Sequence, residues 1–456
     1  MAQAIDAARR APQAPRRADP QEFVMTTPDD MSERSAGAPM AHDSPGAQRD
    51  AGPTDPMTTR FTGNFTQQAP LPQAALDAAM TVLGHGRLHR YNLLPGEVGE
   101  VSALEEEFAA FTGARYCLAV ASGGYALGAA LRAVEVQPGD RVLTNAFTLA
   151  PVPGAIAAIG AVPVYVEVTE DLVIDLDHLA AMLDAEAGQE QGARVLLLSH
   201  MRGHICDMDR LMRLCDDAMV TVIEDCAHTM GAAWRGVASG RHGAIGCYST
   251  QTYKHINSGE GGLLVSDDPD LMARAVIGSG SYMLYDRHRA APPPEVYEQI
   301  RYEVPNVSGR MDALRAAILR PQLAALPQAC ADWIARHAVI AEALRDDGLA
   351  HVPRRNPHAR EIGSSIQFLP HAGAPEQIRE LLRACAARGV ELKWFGAEVP
   401  QGYTSRYDSW RYAPVPDLPR TDAVLARLCD MRIPLSFNLD ECALIAAIVN
   451  EELSRL

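Results

Sequence analysis

The segment "VLTNAFTLAPVPGAIAAIGAVPVYV", residues 142–166, contains no charged side chain. Such a run is long enough to cross a membrane. Its three prolines and two glycines, however, divide it into a strand, a loop, a short helix and a second strand. Apolar strands joined by a helix are typical of a parallel sheet that is buried on both faces. The segment therefore favours an α/β fold over a membrane span.

The same alternation of strands and helices continues on both sides of this segment. "RYCLAVASGG" precedes it, "ARVLLLSH" and "MVTVIEDCAH" follow it, and all three have the apolar character of buried strands. From about Pro327 the pattern changes to a long helix, "ACADWIARHAVIAEALRDDG", followed by shorter strands and helices. We predict a disordered tail over residues 1–58, a large α/β domain over 59–326 and a smaller C-terminal α/β domain over 327–456.

The composition argues against nucleic acid or an anionic membrane as a partner. The formal net charge is -16, whereas both of those partners favour a basic surface. Nine cysteines are scattered without a C-x-x-C pair, which indicates reduced thiols and a cytoplasmic protein. "SHMRGHICDMD", residues 199–209, is the nearest approach to a metal motif, but its irregular spacing predicts no metal site.

Three polar groups follow predicted strands, where ligands bind in open α/β sheets. "SGG", residues 122–124, begins a helix and can present backbone N–H groups to a phosphate. Asp225 ends the strand "MVTVIED", and Lys254 lies between hydroxyl groups and glycines in "CYSTQTYKHINSGEGG", residues 247–262. Each alone has an ordinary explanation: a turn, a helix cap and a solvated lysine.

Together these groups match the requirements of pyridoxal 5'-phosphate. Its phosphate needs a glycine turn at a helix start, its ring nitrogen needs a carboxylate, and its aldehyde needs a lysine amine. Ser122, Gly123 and Gly124 supply the first, Asp225 the second and Lys254 the third. Burial lowers the pKa of a lysine and leaves a nucleophilic amine. We therefore predict pyridoxal 5'-phosphate as the cofactor.

The sequence also resembles a known family. The stretches "LEEEFAAFTGARYCLAVASGG", "VIEDCAHTMGAAWRGVASGRHGAIGCYST" and "YKHINSGEGGLLVSDD" are similar to the fold-type-I pyridoxal-phosphate aminotransferases of the DegT/DnrJ/StrS group. The resemblance extends from about Phe61 to the C-terminus. It implies a large αβα domain with a mixed sheet, a smaller C-terminal α/β domain, and an enzyme that aminates keto-sugars or related cyclic ketones.

The resemblance also implies roles for individual residues. Lys254 matches the lysine that bonds covalently to the cofactor, and Asp225 matches the carboxylate at the ring nitrogen. His228 falls where the family contacts the phenolic oxygen, and Ser249 where a serine contacts the phosphate. Lys254, Asp225 and His228 are the predicted catalytic residues.

The chain departs from the family pattern at three of the implied cofactor contacts. Gly124 takes the place of a threonine, so one hydroxyl contact to the phosphate is missing. Leu149 stands where an aromatic side chain stacks on the ring, and Phe147, two residues earlier on the same predicted strand face, is expected to substitute. Ser308 replaces an asparagine that reaches across to the other subunit's phosphate, and Asn306 is the nearest alternative.

Residues 390–414 form an aromatic and basic segment in an acidic protein, and differ most from the family. The segment is either a packed loop that closes the small domain or a lid over the substrate. We favour packing for both Trp394 and Trp410, and substrate contact for Arg406. Trp410 and Arg310 are nevertheless kept with Arg406 as candidate substrate-binding residues.

The predicted function is transfer of an amino group from glutamate or glutamine to a keto-sugar or related cyclic ketone. The expected partners are these small molecules and a second subunit in a homodimer with shared active sites. A dehydratase or lyase of the same fold, and a non-catalytic cofactor-binding regulator, remain alternatives. Lys254 argues against the dehydratases, which use histidine there, although His255 is adjacent. A lyase would need a reactive cysteine loop, which the sequence does not contain.

Overall fold

The computed structural model describes residues 59–187, 189, 192–401 and 404–456. The predicted disordered tail over residues 1–58 lies outside the described residues. Among the helices that are described, none is long and apolar enough to cross a membrane. The charge-free segment 142–166 instead forms a strand, a short helix and a second strand, as predicted.

The first nine strands build the large sheet and a small hairpin. They are β1 (Tyr116–Val120), β2 (Arg141–Asn145), β3 (Val162–Val166), β4 (Val195–Ser199), β5 (Thr221–Asp225), β6 (Ala233–Trp234), β7 (Val237–Ala238), β8 (Ile245–Ser249) and β9 (Gly262–Ser266). All except β6 and β7 form one sheet in the order β1-β9-β8-β5-β4-β2-β3. β9 runs antiparallel to both of its neighbours, whereas β3, β2, β4, β5 and β8 are parallel. The sheet is therefore mixed, which confirms the predicted fold class.

Helices cover both faces of this sheet. The helices of this part of the chain are α1 (Gln73–His85), α2 (Glu100–Thr112), α3 (Gly123–Ala133), α4 (Pro151–Ala158), α5 (Leu176–Ala187), α6 (Met208–Asp217), α7 (Pro269–Gly278) and α8 (Pro294–Ile300), and α2–α8 contribute to this cover. The side chains of β4 show the two-sided burial, because Leu196 and Leu198 belong to one apolar core and Val195 and Leu197 to the other. Continuous apolar strands are stable only in such a covered sheet.

The C-terminal part is built on a second, antiparallel sheet. Its elements are α9 (Ala313–Asp346), β10 (Ala350–His351), β11 (Ala359–Arg360), β12 (Ser365–Pro370), α10 (Pro375–Ala387), β13 (Lys393–Trp394), α11 (Pro419–Leu425), β14 (Cys429–Arg432) and α12 (Leu439–Leu453). The small sheet has the order β10-β12-β14-β13, and β11 joins the β6–β7 hairpin.

Helix α9 begins earlier than the sequence predicts and passes through Pro321 and Pro327. Its start is fixed by Asp312, whose side chain accepts a hydrogen bond from the backbone N–H of Arg315 at 2.9 Å. The helix contributes Leu326 to the core of the large sheet and Ile340 to the core of the small sheet. The predicted boundary between residues 326 and 327 falls inside this helix, and the division into two domains stays a prediction.

The segment after β13 packs against the large sheet. Phe395 and Tyr407 share an apolar cluster with Phe147. The carboxylate of Glu167, directly after β3, accepts hydrogen bonds from the backbone N–H of Thr421 at 2.6 Å and from its hydroxyl at 2.5 Å. These contacts hold the segment in place beside the carboxyl ends of the parallel strands.

Candidate active site

A cavity of about 720 Å³ lies at the carboxyl ends of the parallel strands. Sites for small molecules usually measure roughly 300–1,000 Å³. The cavity brings together most of the residues that the sequence singles out: Ser122, Gly123, Gly124, Asp225, His228, Ser249 and Lys254. They meet because β4, β5 and β8 are parallel neighbours, with Ser199 in register with Asp225 and Asp225 with Cys247.

Lys254 lies half-buried in the loop between β8 and β9. Its Nζ is 3.0 Å from Nε2 of His228. Burial lowers the pKa of Lys254 to about 8; the guanidinium groups of Arg202 and Arg432 lower it further, and the carboxylate of Asp225 opposes them. A substantial fraction of the amine is therefore neutral, and so nucleophilic, near neutral pH.

Asp225, the last residue of β5, is held at both carboxylate oxygens. Oδ2 accepts a hydrogen bond from Oγ of Ser199 at 2.9 Å, and Oδ1 accepts one from the backbone N–H of Ala227 at 3.1 Å. Ser199 in turn accepts a hydrogen bond from Oγ1 of Thr148 at 2.8 Å. Burial raises the pKa of Asp225, while the charge of Lys254 lowers it. The sequence analysis missed Ser199 and Thr148, although both follow or end strands of the same sheet.

His228 is the neutral partner of Lys254. Burial lowers its pKa well below the usual range, and the positive charge of Lys254 adds to this effect. The imidazole can therefore share a hydrogen bond with the lysine without adding a second positive charge. Asp225 is the acidic group whose charge raises the pKa of Lys254.

The start of α3 is fitted closely between two strands. The Ser122 side chain caps the helix by accepting a hydrogen bond from the backbone N–H of Tyr125 at 3.0 Å. A Cβ atom on Gly123 would lie only 2.8 Å from Cβ of Ser249, and one on Gly262 only 2.4 Å from the carbonyl oxygen of Ser122. Glycine is therefore required at residues 123 and 262 for the turn to approach β8 and β9.

Phe147 does not line the cavity, contrary to the expectation that it would replace the missing aromatic residue. Its side chain is buried and packs edge-on against Phe395, with ring centroids 5.2 Å apart. Leu149 lines the cavity instead. The alternation of faces fails here because β2 already ends at Asn145.

Asn306 and Arg310 also lie outside the cavity lining. Asn306 is exposed, so its predicted contact to a second subunit stays a prediction. Arg310 donates a hydrogen bond to the carbonyl oxygen of Gly280 at 2.8 Å, and its guanidinium lies 4.7 Å from the ring centroid of Tyr282. These contacts give Arg310 a role in holding the loop after α7.

Two side chains of segment 390–414, Arg406 and Trp410, lie in surroundings opposite to those expected from the sequence. Arg406 forms ion pairs with Asp408 at 3.1 Å and with Asp422 at 2.5 Å, and does not line the cavity. Trp394 is buried, and its Nε1 donates a hydrogen bond to the carbonyl oxygen of Ala426 at 2.8 Å. Trp410, by contrast, is half-buried and lines the cavity. Of Trp394, Arg406 and Trp410, it is thus Trp410 that lines the cavity.

The histidines of segment 199–209, the nearest approach to a metal motif, have separate structural roles. Nε2 of His200 is 2.9 Å from Oε2 of Glu224, and Cys226 lies close to both. Glu224 also accepts hydrogen bonds from three backbone N–H groups between residues 240 and 243, so its oxygens are already engaged. His204 contacts Gln367, with Nε2 and Oε1 2.9 Å apart.

Two arginines in the cavity wall escaped the sequence analysis. Arg202 follows β4, and Arg432 is the last residue of β14, so they are distant in sequence. The chain also contains only two lysines, Lys254 and Lys393. Burial lowers the pKa of Lys393 to about 8, and the charge of Arg432 adds to this effect. The scarcity of lysine was visible in the sequence and would have drawn attention to both residues.

The fold and this arrangement of lysine, aspartate and glycine turn define a class of cofactor-dependent transferase. The family model described as the DegT/DnrJ/EryC1/StrS aminotransferase family matches residues 93–450. The chain belongs to this family, which confirms the resemblance found in the sequence.

Two relatives and one solved structure illustrate the similarity. UDP-N-acetyl-3-dehydro-alpha-D-glucosamine 3-aminotransferase of Acidithiobacillus ferrooxidans is 32% identical, over 52% of this chain and 61% of the relative. dTDP-3-amino-3,4,6-trideoxy-alpha-D-glucose transaminase of Streptomyces venezuelae is 33% identical, over 62% of this chain and 67% of the relative. The structure of 3-amino-5-hydroxybenzoic acid synthase has a TM-score of 0.72 and 25% identity, over 87% of this chain and 100% of that chain.

The chain spans only 61%, 49% and 41% of the length of three of the curated relatives that it matches.

Membership of this family implies pyridoxal phosphate as the cofactor. The residues present fit this group. The start of α3 offers backbone N–H groups beside Ser249, in a turn where a Cβ at residue 123 would fill the space. Lys254 offers an amine of lowered pKa, and Asp225 offers a buried carboxylate in the same cavity.

Proposed function

We propose that this protein is a pyridoxal-phosphate-dependent aminotransferase that moves an amino group from glutamate or glutamine to a keto-sugar or a related cyclic ketone. The observation that carries the proposal is the 3.0 Å contact between Lys254 and His228 in a cavity that also contains Asp225 and the start of α3. The names of two relatives refer to amino transfer on nucleotide-linked sugars, which supports the substrate class.

Pyridoxal phosphate, when bound, supplies an aldehyde that attaches amino groups and a ring that withdraws electrons from them. In this proposal Ser122, Gly123, Gly124 and Ser249 hold the phosphate. Asp225 holds the ring nitrogen in its protonated form, and the hydrogen bonds from Ser199 and Ala227 orient its oxygens.

Lys254 has two tasks in the proposed mechanism. Its amine would hold the aldehyde of the cofactor, and as a free amine it would move a proton to and from the reacting carbon of the substrate. A pKa of about 8 suits both tasks, because the amine can then accept and return a proton near neutral pH. His228 stays neutral at 3.0 Å from Nζ and is suited to orient the amine and contact the phenolic oxygen.

Two features of the cavity weigh against the alternative reactions. Every cysteine is buried, and burial raises the pKa of each thiol, so none has the properties of a reactive lyase nucleophile. The ring of His255 packs edge-on against Trp333, with centroids 5.1 Å apart, while Lys254 is the side chain that contacts His228. This favours lysine over histidine as the acting residue.

The expected setting of the enzyme is also part of the proposal. We propose a homodimer with shared active sites, supported by the exposed Asn306 outside the cavity, and a cytoplasmic location, supported by nine cysteines that are all free and buried.

The test combines a spectrum with peptide mapping. L-glutamate added to the cofactor-loaded protein should abolish the visible absorption of the bound cofactor, and a cyclic ketone should restore it. Borohydride reduction should then fix the cofactor to the peptide that contains Lys254. Lys393→Arg is the matched control, since it removes the only other lysine. A label on Lys393, or an unchanged spectrum with both glutamate and glutamine, would contradict the proposal.

A further inference from the structure

Two guanidinium groups from different sheets meet in the wall of the cavity that holds Lys254. Arg202 follows β4 of the large sheet, and Arg432 ends β14 of the small sheet. The same cavity wall includes apolar and aromatic groups, among them Leu149 and Trp410. A ligand in this cavity therefore meets two guanidinium groups beside an apolar surface, in a lining that also includes the carboxylates of Asp225 and Glu260.

Both arginines are held in position by neighbouring side chains. Nη2 of Arg202 lies 2.7 Å from Oδ2 of Asp430, whose Oδ1 accepts a hydrogen bond from Nε2 of Gln367 at 2.7 Å. Cζ of Arg432 lies 3.6 Å from the ring centroid of Tyr253, the residue before Lys254. Because the guanidinium groups are oriented before a ligand arrives, little conformational entropy is lost on binding.

The two arginines bring positive charge to this wall of the cavity, where Asp430 pairs with Arg202, although the chain carries a net charge of -16. After burial, which has the largest effect, the charges of Arg202 and Arg432 both lower the pKa of Lys254. They also lower the pKa of Lys393 on β13. An anion bound between the arginines would offset this repulsion on both lysines.

We propose that Arg202 and Arg432 form a carboxylate-binding site, so that the enzyme selects substrates that carry a carboxylate next to the reacting group. A guanidinium matches the two oxygens of a carboxylate with parallel hydrogen bonds. This inference rests on the proposed function, because it names the substrate chemistry of the same cavity. The carboxylate has two possible sources, the α-carboxylate of the amino donor or a carboxylate on the cyclic acceptor, and the experiment separates them.

The first measurement is binding of glutarate, a dicarboxylate without a reacting amine or ketone, to the cofactor-loaded protein by calorimetry. Arg432→Gln should weaken glutarate binding by about 10- to 100-fold, which corresponds to loss of charge-assisted hydrogen bonds. Arg432→Lys keeps the charge but not the planar guanidinium, so its affinity for glutarate should lie between those of wild type and Arg432→Gln. Arg383→Gln, on the exposed face of α10, removes the same charge and should stay within about twofold of wild type. Equal affinity of wild type and Arg432→Gln would overturn the inference.

Arg202 needs a different design, because Arg202→Gln leaves Asp430 buried beside a neutral side chain. The double variant Arg202→Gln/Asp430→Asn removes both charges and keeps similar volumes. It should retain a cooperative thermal transition and weaken glutarate binding by about tenfold or more. Unchanged glutarate affinity in a folded double variant would remove Arg202 from the site.

The second measurement identifies the source of the carboxylate. If it belongs to the donor, Arg432→Gln should slow the half-reaction with L-glutamate and leave the acceptor half-reaction unchanged. If it belongs to the acceptor, the aminated wild-type enzyme should prefer 3-oxocyclohexane-1-carboxylate over cyclohexanone, and the variant should lose that preference. Arginine-dependent glutarate binding without any amino transfer would support the site and contradict the proposed function. Amino transfer that is insensitive to substitution of both arginines would support the proposed function and contradict the carboxylate-binding site.

Discussion

Gly123 and Gly124 are adjacent at the start of α3, yet the structure predicts opposite effects when each is replaced by alanine. A Cβ on Gly123 would lie 2.8 Å from Cβ, 3.2 Å from Oγ and 3.3 Å from Cα of Ser249. A Cβ on Gly124 would have Pro151 Cβ as its nearest neighbour, at 3.8 Å, which is ordinary van der Waals contact. The first substitution must push α3 away from β8, and the second fits without movement.

The magnitudes follow from these contacts. Overpacking against a rigid strand destabilises a protein by about 1–3 kcal/mol, and Ser249 cannot yield because its Cβ is fixed to the backbone of β8. Gly124→Ala should stabilise by about 0.4–1 kcal/mol, because alanine reduces the entropy of the unfolded chain at a compatible position. Gly123→Ala should also weaken cofactor binding, since the displaced turn is the proposed phosphate site.

The assay is thermal unfolding of the cofactor-free variants, followed by circular dichroism, together with cofactor titration. Gly123→Ala should lower the midpoint and Gly124→Ala should raise it slightly. Adding Ser249→Gly removes the Cβ that lies at 2.8 Å, so the double variant with Gly123→Ala should recover part of the lost stability. The reasoning is refuted if both alanine variants shift the midpoint in the same direction, or if the second substitution gives no recovery.

Further predictions concern the lysine, its counter-charge and the segment after β13. The rate at which pyridoxal phosphate bonds to the cofactor-free protein should rise with pH and reach half its limit near pH 8, because the neutral amine of Lys254 dominates above its lowered pKa. Asp225→Asn should move this midpoint to lower pH, since it removes the charge that raises the pKa of Lys254. A shift of the midpoint to higher pH would contradict the assignment. Trp394→Ala should reduce the free energy of unfolding by about 3–5 kcal/mol in urea titrations, as expected for a buried tryptophan, whereas Trp410→Ala should change it little and instead raise the KM for the ketone. Arg406→Ala should lower thermal stability slightly and leave both half-reactions unchanged, because its partners are carboxylates outside the cavity; a selective loss of the ketone half-reaction would restore it as a substrate contact.

Local sequence patterns predicted the parts of the site that depend on one strand and the turn after it. Asp225 ends an apolar strand, and the glycines at residues 123 and 124 begin a helix, so their position at the carboxyl edge follows from the parallel sheet alone. Lys254 was recognisable because its loop lies between two strands, β8 and β9, that the apolar pattern of the sequence also predicts. These features depend on alternation and turn chemistry, which are readable without long-range information.

The sequence could not predict contacts that depend on pairing between distant strands. Arg202 follows β4 of the large sheet and Arg432 ends β14 of the small sheet, and the two line the same cavity although they are 230 positions apart in the sequence. Arg406 looked like a substrate ligand because its partner Asp422 is 16 positions away, although Asp408 was close enough to suggest an ion pair. Phe147 was misjudged because the end of β2 is set by tertiary packing, and one or two residues of strand length decide which side chain faces the cavity.

The presence of only two lysines makes this chain a chemical reporter of its own site. Most proteins expose many amines, so an amine-reactive dye labels their whole surface. Here both lysine side chains are half-buried and have a pKa of about 8, so such a dye meets only these two and the chain terminus. In the Lys393→Arg variant, the extent of lysine labelling becomes a direct measure of how accessible Lys254 is. Protection by any added compound would then give its affinity without a coupled assay, a coloured substrate or knowledge of the product.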